Sequence, residues 1–216
     1  MKYETVIFDL DGTLLDTLKD LTNSVNFALN SMQYPERTLS EVRMFVGNGI
    51  GKLIERAVPE GTDERSIQKT LQVFKSHYDK HCEDYTAPYP KICELLDWLK
   101  EKGIRTAVVS NKADFAVKKL CEKYFSNYIF LAIGECEGIR KKPAPDSVLM
   151  AIDQLKSSPK KTVYIGDSDV DIETARNAKI DSIIVTWGFR DKKFLLEKGA
   201  SQYADSVEQL KTLILN

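Results

Sequence analysis

Val6-Ile7-Phe8-Asp9-Leu10-Asp11-Gly12-Thr13-Leu14 decides the fold: an apolar β-rich run ends in two aspartates two residues apart, followed by a turn at glycine. The run is continuous rather than alternating, which suits a strand covered on both faces, as in a parallel sheet. Similar runs recur at Thr106 to Val109, Tyr128 to Ile133, Thr162 to Ile165 and Ser182 to Val185. Helical patterns lie between them: Lys91 to Lys102 before Gly103, Ala113 to Tyr124, Asp146 to Leu155, and Asp169 to Ala178. Strands alternating with helices of this length predict an α/β fold, a Rossmann-like doubly wound parallel sheet. In such sheets ligands bind beyond the carboxyl ends of the strands, where Asp9 and Asp11 stand.

One segment breaks the alternation. From about Leu18 to Tyr85 only helix-like spacings occur (Leu21, Val25, Ala28, Leu29; Leu53, Ile54, Ala57; Leu71, Phe74, Tyr78). That stretch is too long for a loop. The expected organisation is therefore a catalytic core of residues 1–16 and 88–216 with a helical cap domain, 17–87, inserted after the first strand. Pro88 and Pro90 would mark the return hinge.

The 216 residues suffice for a substantial core. Thirty-one Lys and Arg balance 32 Asp and Glu, a formal net charge of -1, so nothing points to a nucleic-acid-binding surface. Cys82, Cys93, Cys121 and Cys136 form no CxxC pair and read as reduced thiols. Charged residues follow the first apolar run too closely for a signal-peptide core or a membrane span, so a cytoplasmic location is expected. Gly47-Asn48-Gly49-Ile50-Gly51-Lys52 has neither nucleotide-loop spacing, and His77 and His81 lack the glutamate of a zinc protease motif.

A second acidic cluster, Gly166-Asp167-Ser168-Asp169-Val170-Asp171, again follows an apolar run and precedes a helix. Neighbouring strands would bring both clusters to one rim, and several carboxylate oxygens suit a hard cation such as Mg²⁺. Asp169 reads as the cap of the following helix, and Asp171 as an acid in its first turn. Ser110-Asn111 offers a hydroxyl and an amide for phosphate oxygens, or an N-cap for the helix from Ala113. In Lys141-Lys142-Pro143-Ala144-Pro145 two prolines could aim a lysine into the site, or the run is a solvated basic loop.

Taken in order, Asp9-x-Asp11-Gly12-Thr13, Ser110-Asn111, Lys142-Pro143 and Gly166-Asp167-Ser168-x-x-Asp171 resemble the four motifs of the haloacid dehalogenase superfamily over nearly the whole chain. Phe45-Val46-Gly47-Asn48-Gly49 and Tyr89-Pro90 further resemble its phosphoglycolate phosphatase-like branch. The resemblance implies a Mg²⁺-dependent phosphatase acting on a small phosphorylated metabolite through an aspartyl phosphate. By it, Asp9 is the nucleophile, Asp11 the general acid and base, and Lys142 neutralises charge at the transferring group. Gly12, Thr13, Ser110 and Asn111 would bind the phosphate, with backbone N–H groups near Gly12 helping. The metal would be held by Asp9, the backbone carbonyl of Asp11, and Asp167, with Asp171 in an outer or water-mediated contact.

The same chemistry serves a phosphomutase of the β-phosphoglucomutase type and a nucleotide or pyrophosphate hydrolase, which stand as the alternatives. A dehalogenase is disfavoured by Asp11, because that reaction has no alkoxide to protonate. A binding protein with a decayed site is disfavoured by the complete set of groups. The expected partners are the metabolite alone, with neither nucleic acid nor membrane, in a monomer or small homo-oligomer.

Overall fold

The computed structural model describes residues 2–216. In chain order the elements are β1 (Thr5–Phe8), β2 (Leu15–Asp16), α1 (Leu18–Ser31), α2 (Leu39–Phe45), α3 (Gly49–Ala57), α4 (Glu64–His81), β3 (Ala87–Pro88), α5 (Ile92–Glu101), β4 (Arg105–Ala113) and α6 (Asp114–Phe125). They continue as β5 (Leu131–Glu135), α7 (Asp146–Gln154), β6 (Thr162–Gly166), α8 (Asp169–Ala178), β7 (Asp181–Val185), α9 (Lys192–Glu197), β8 (Tyr203–Ala204) and α10 (Val207–Leu215). Among the described residues the sheet has the order β5-β4-β1-β6-β7-β8, and its pairings are parallel. The fold is thus Rossmann-like α/β.

Each residue of β1 is buried, and they divide between two cores. Val6 and Phe8 join Leu95, Leu99, Val117, Leu120, Val207 and Leu210, on α5, α6 and α10. Ile7 joins Val148, Ile152, Ala175 and Ala178, on α7 and α8. The unbroken apolar run Val6-Ile7-Phe8 is thereby explained, since both faces are covered by helices. β1 pairs with β4 on one side and β6 on the other, so a crevice opens beyond its carboxyl end.

Two boundaries differ from the sequence reading. β4 continues past Val109 through Ser110, Asn111 and Lys112 to Ala113, with a register shift against β5 between Val109 and Ala113. The apolar run ends the expected strand at Val109, yet all three polar residues continue it and are buried. The strand expected from Tyr128 begins instead at Leu131. The amides of Tyr128 and Ile129 donate to the carbonyl of Phe125 and close the turn after α6.

Contacts divide the chain into two compact units, one comprising the residues up to Leu15 with Pro88–Asn216, the other Asp16–Ala87. In the second, α1 and α4 form the principal packed pair, burying Leu21, Val25, Ala28, Leu29, Phe74 and Tyr78. Thr38 and Glu41 form a capping box on α2, and Asp63 caps α4. No helix of the described residues is long and apolar enough to cross a membrane.

Asp20 closes this helical unit. Buried in the first turn of α1, its carboxylate accepts from the amides of Tyr85 (3.0 Å) and Thr86 (2.8 Å) and from the Thr86 hydroxyl (2.8 Å). Asp20→Ala strands these buried donors and is expected to cost about 2–4 kcal/mol, with Asp20→Asn, which keeps one acceptor, costing less. Urea denaturation measures both, and an unchanged midpoint for Asp20→Ala would remove Asp20 from this role.

Candidate active site

Asp9 continues the ladder of β1: its amide donates to the carbonyl of Ile165 at 2.8 Å. One carboxylate oxygen accepts from the Leu10 amide at 2.7 Å; the other lies 3.0 Å from Nζ of Lys142. The Ser110 hydroxyl lies beside the Asp9 carboxylate and favours its charged form. After Leu10 the chain curls, with the amides of Thr13, Leu14 and Leu15 donating to the carbonyl of Leu10 and that of Gly12 to Leu15. Gly12 sits at φ +81°, and a Cβ there would come within 2.4 Å of the Asp167 carboxylate. Only glycine satisfies both demands.

Lys142 is buried at the centre of the site. Its Nζ donates to Asp171 Oδ1 (2.8 Å) and to the Tyr164 hydroxyl (2.8 Å), besides facing Asp9. Three partners match the three N–H bonds of an ammonium. The Tyr164 hydroxyl in turn donates to the carbonyl of Val109 at 2.9 Å. Burial disfavours the charged lysine, but the Asp171 and Asp9 carboxylates outweigh it and hold its pKa well above the ordinary value.

Asp171 Oδ2 accepts from the Asp167 amide (3.1 Å), the Ser168 amide (3.0 Å) and the Ser168 hydroxyl (2.6 Å). Ser168, not Asp169, is therefore the N-cap of α8, and Asp171 completes its capping box. The Ser-x-x-Asp spacing carried this signal, whereas Asp169 lies outside the network, 3.8 Å from the Arg190 guanidinium.

Asp167 accepts from the Thr13 hydroxyl at 3.0 Å and from the Phe189 amide at 2.7 Å. The segment after β7 is held close: the Trp187 indole donates to the carbonyl of Thr13 at 3.1 Å, and a Cβ on Gly188 would lie 2.4 Å from both Asp167 and the carbonyl of Gly12. Asp9, Asp167 and Asp171 each bring a carboxylate oxygen within 4.8 Å of the others. Burial first, then the Asp171 and Asp9 charges, pushes Asp167 up to about 8. Asp9 is pushed up to about 6, by burial against the attraction of Lys142. Three carboxylates thus face one ammonium. The surplus of two negative charges equals the charge of one divalent cation, so the donor set fits such an ion. Asp171 already takes four hydrogen bonds, as many as a carboxylate has lone-pair sites, whereas Asp167 takes two and Asp9 takes one besides its Lys142 and Ser110 contacts, so these two keep capacity to bind it.

The sequence-predicted residues come together here, with some different immediate tasks. Asn111 grips the backbone of Lys142, donating to its carbonyl (2.9 Å) and accepting from its amide (2.8 Å). The N-cap of α6 is Ala113 rather than Ser110 or Asn111. Thr13 bonds to Asp167, and the Gly12 and Thr13 amides to the turn itself. Asp11 turns its carboxylate to Lys112, at 2.8 and 3.1 Å, leaving its backbone carbonyl as what it can offer a cation. Lys112, Tyr164 and the 187–189 segment were missed by sequence reasoning. Their signals were a tyrosine in an aliphatic strand, a lysine directly after Ser110-Asn111, and a Trp-Gly step after an apolar run.

A family model described as haloacid dehalogenase-like hydrolase matches residues 6–185. A phosphoglycolate phosphatase of Aquifex aeolicus is 34% identical over 85% of each chain. One from Nitrosococcus oceani is 32% identical over 98% of this chain and 96% of its own. A crystal structure of a candidate phosphoglycolate phosphatase from Lactobacillus delbrueckii subsp. bulgaricus superposes with TM-score 0.94 at 38% identity, over 99% of both chains.

The carboxylate crowding predicts a pH dependence. Asp9 and Asp167 have folded pKa values raised above their unfolded ones, toward about 6 and about 8. Between about pH 4 and 8 the metal-free fold therefore binds more protons than the unfolded chain, and these groups lower stability as pH rises. In EDTA, wild type should lose stability relative to Asp167→Asn as pH goes from 5 to 8, and Mg²⁺ should stabilise wild type most at pH 8. Melting temperatures across this range check it; an opposite slope of the wild-type-minus-variant difference would contradict the crowding.

Proposed function

The chain belongs to the haloacid dehalogenase-like hydrolases, as a phosphatase, and from that premise we propose that it hydrolyses a small phosphorylated metabolite of the phosphoglycolate type through an aspartyl phosphate on Asp9, with Mg²⁺ as its cofactor. The observation that carries this reading is the buried Lys142 ammonium shared between Asp9 and Asp171, inside a carboxylate cluster left with two excess negative charges. Asp9, Asp167 and the Asp11 carbonyl would hold Mg²⁺, which when bound would supply positive charge to a phosphoryl group that a carboxylate nucleophile would otherwise repel.

The chain's own residues do the rest. Asp9, its carboxylate oriented by the Leu10 amide and Lys142, attacks phosphorus as the bond to the leaving oxygen breaks. Lys142, with its pKa held high by Asp171 and Asp9, stays an ammonium and neutralises charge at that centre. Asp11 gives its proton to the leaving alkoxide. It then takes one from the water whose oxygen displaces Asp9 from phosphorus, a role typically worth about 10²–10⁴ in rate. Ser110 contacts phosphate oxygens directly, while Thr13 and Asn111 keep Asp167 and Lys142 in place. The substrate class is supported by relatives named phosphoglycolate phosphatase that align over most of the chain, and a cytoplasmic location belongs to the same proposal.

Asp9→Asn should lower turnover by about 10³-fold or more and leave no phosphoenzyme to trap. EDTA should abolish p-nitrophenyl phosphate hydrolysis and added Mg²⁺ restore it. In a screen of phosphoglycolate, sugar phosphates, nucleoside monophosphates and pyrophosphate, the first should have the highest kcat/KM. A preference for pyrophosphate, or transfer of the phosphoryl group to an isomeric sugar phosphate, would overturn the substrate assignment.

A further inference from the structure

Strands β1 and β4 run side by side with Phe8 opposite Val108, and beyond that pair the first chain carries Asp9 and Asp11 and the second Ser110, Asn111 and Lys112. Side chains two apart on an extended strand share a face. Ser110 and Lys112 therefore project together, as Asp9 and Asp11 do on the neighbouring segment, and the pairs meet: the Ser110 hydroxyl on Asp9, the Lys112 ammonium on Asp11. The intervening Asn111 faces the other way and holds the Lys142 backbone. Lys112 reaches both oxygens of Asp11, at 2.8 and 3.1 Å, and its side chain is 1% exposed against 13% for Asp11.

A buried ion pair contributes little net stability, because desolvation of the charges offsets their attraction. Its geometric effect is larger. An ammonium bridging both oxygens fixes the rotation of a carboxylate that would otherwise turn freely at the mouth of the site. The two buried lysines thus divide the acids between them, Lys142 serving Asp9 and Asp171, and Lys112 serving Asp11.

We propose that Lys112 is the positioning residue for Asp11, aiming its carboxyl at the leaving-group oxygen, so that departure of poorly stabilised alkoxides depends on Lys112 while departure of good leaving groups does not. This rests on the reading of Asp11 as the acid. In the reacting state the Asp11 carboxyl carries a proton, regained in each turnover from the attacking water; it passes to the leaving oxygen as the P–O bond breaks and the bond from Asp9 to phosphorus forms, while Lys112 stays an ammonium and neither gives nor takes a proton.

The test is single-turnover phosphoenzyme formation with an alkyl phosphate and with p-nitrophenyl phosphate, whose nitrophenolate leaves unprotonated, in wild type, K112M, D11N and the D11N/K112M double variant. K112M should slow the alkyl reaction about 10- to 100-fold more than the nitrophenyl reaction, a part of the acid's typical contribution. In the D11N background K112M should change either rate by less than about twofold, because the group it aims is gone. Equal slowing of both substrates by K112M, or the same added loss in the D11N background as in wild type, overturns the proposal. The double variant removes both charges together and avoids leaving one buried alone. If K112M does not fold, K112R, which keeps the charge but displaces it, should show the same leaving-group-selective loss in smaller degree, and no selectivity in K112R overturns the proposal. A D11N enzyme without leaving-group selectivity overturns the role of Asp11 itself, and this inference with it. Selectivity in D11N without selectivity in K112M overturns this inference alone.

Discussion

The contact on which the rest of the site depends is the Lys142 ammonium held between Asp9 and Asp171. A lysine buried this deeply is tolerated only if its charge is matched and all its N–H bonds are used. Asp9 comes from the end of β1, Asp171 from the first turn of α8, and Tyr164 from within β6. Satisfying one ammonium therefore ties three separate pieces of chain to a single point. Asn111 secures the lysine's own backbone from β4, so neighbouring strand ends converge there.

The same rule orders the carboxylates. Asp171 has its oxygens filled by Lys142, by Ser168 and by two amides, and so acts as a fixed anion that anchors the lysine. Asp9 and Asp167 accept fewer bonds, and burial first, then the neighbouring carboxylates, raises their pKa values. Asp11 stands apart with its own counter-ion. Acids close in sequence thus receive different chemistry from their partners, a division that serves a reaction needing both a nucleophile and a proton carrier. Close approach makes it feasible: glycines at 12 and 188 leave the space that the Asp167 side chain occupies.

In the helical unit a buried carboxylate organises the chain without catalysis. Asp20 gathers the amides of Tyr85 and Thr86 much as Asp171 gathers those of Asp167 and Ser168. Buried carboxylates in this protein are accompanied by donors, and what distinguishes the site is that the donors run short.

The sequence by itself determined the sheet, the helical segment and the two acidic clusters, because each is written in local pattern. Continuous apolar runs mark strands covered on both faces, 3.6-residue spacing marks helices, and aspartates two apart mark a strand end. Lys142 and Asn111 were also legible, the lysine as an open choice between site and solvated loop, the asparagine between phosphate contact and helix cap. Tertiary structure alone decided how the polar residues share partners. That Lys112 meets Asp11 follows from β4 lying beside β1 and staying extended past Val109, where the apolar run that marks the strand stops. That Tyr164 supports Lys142, and that Gly188 must lack a side chain, follows from the neighbour order β4-β1-β6-β7. A hydrogen bond between residues 22 or 101 positions apart leaves no period in the sequence, because it is set by which strands are neighbours rather than by spacing along the chain.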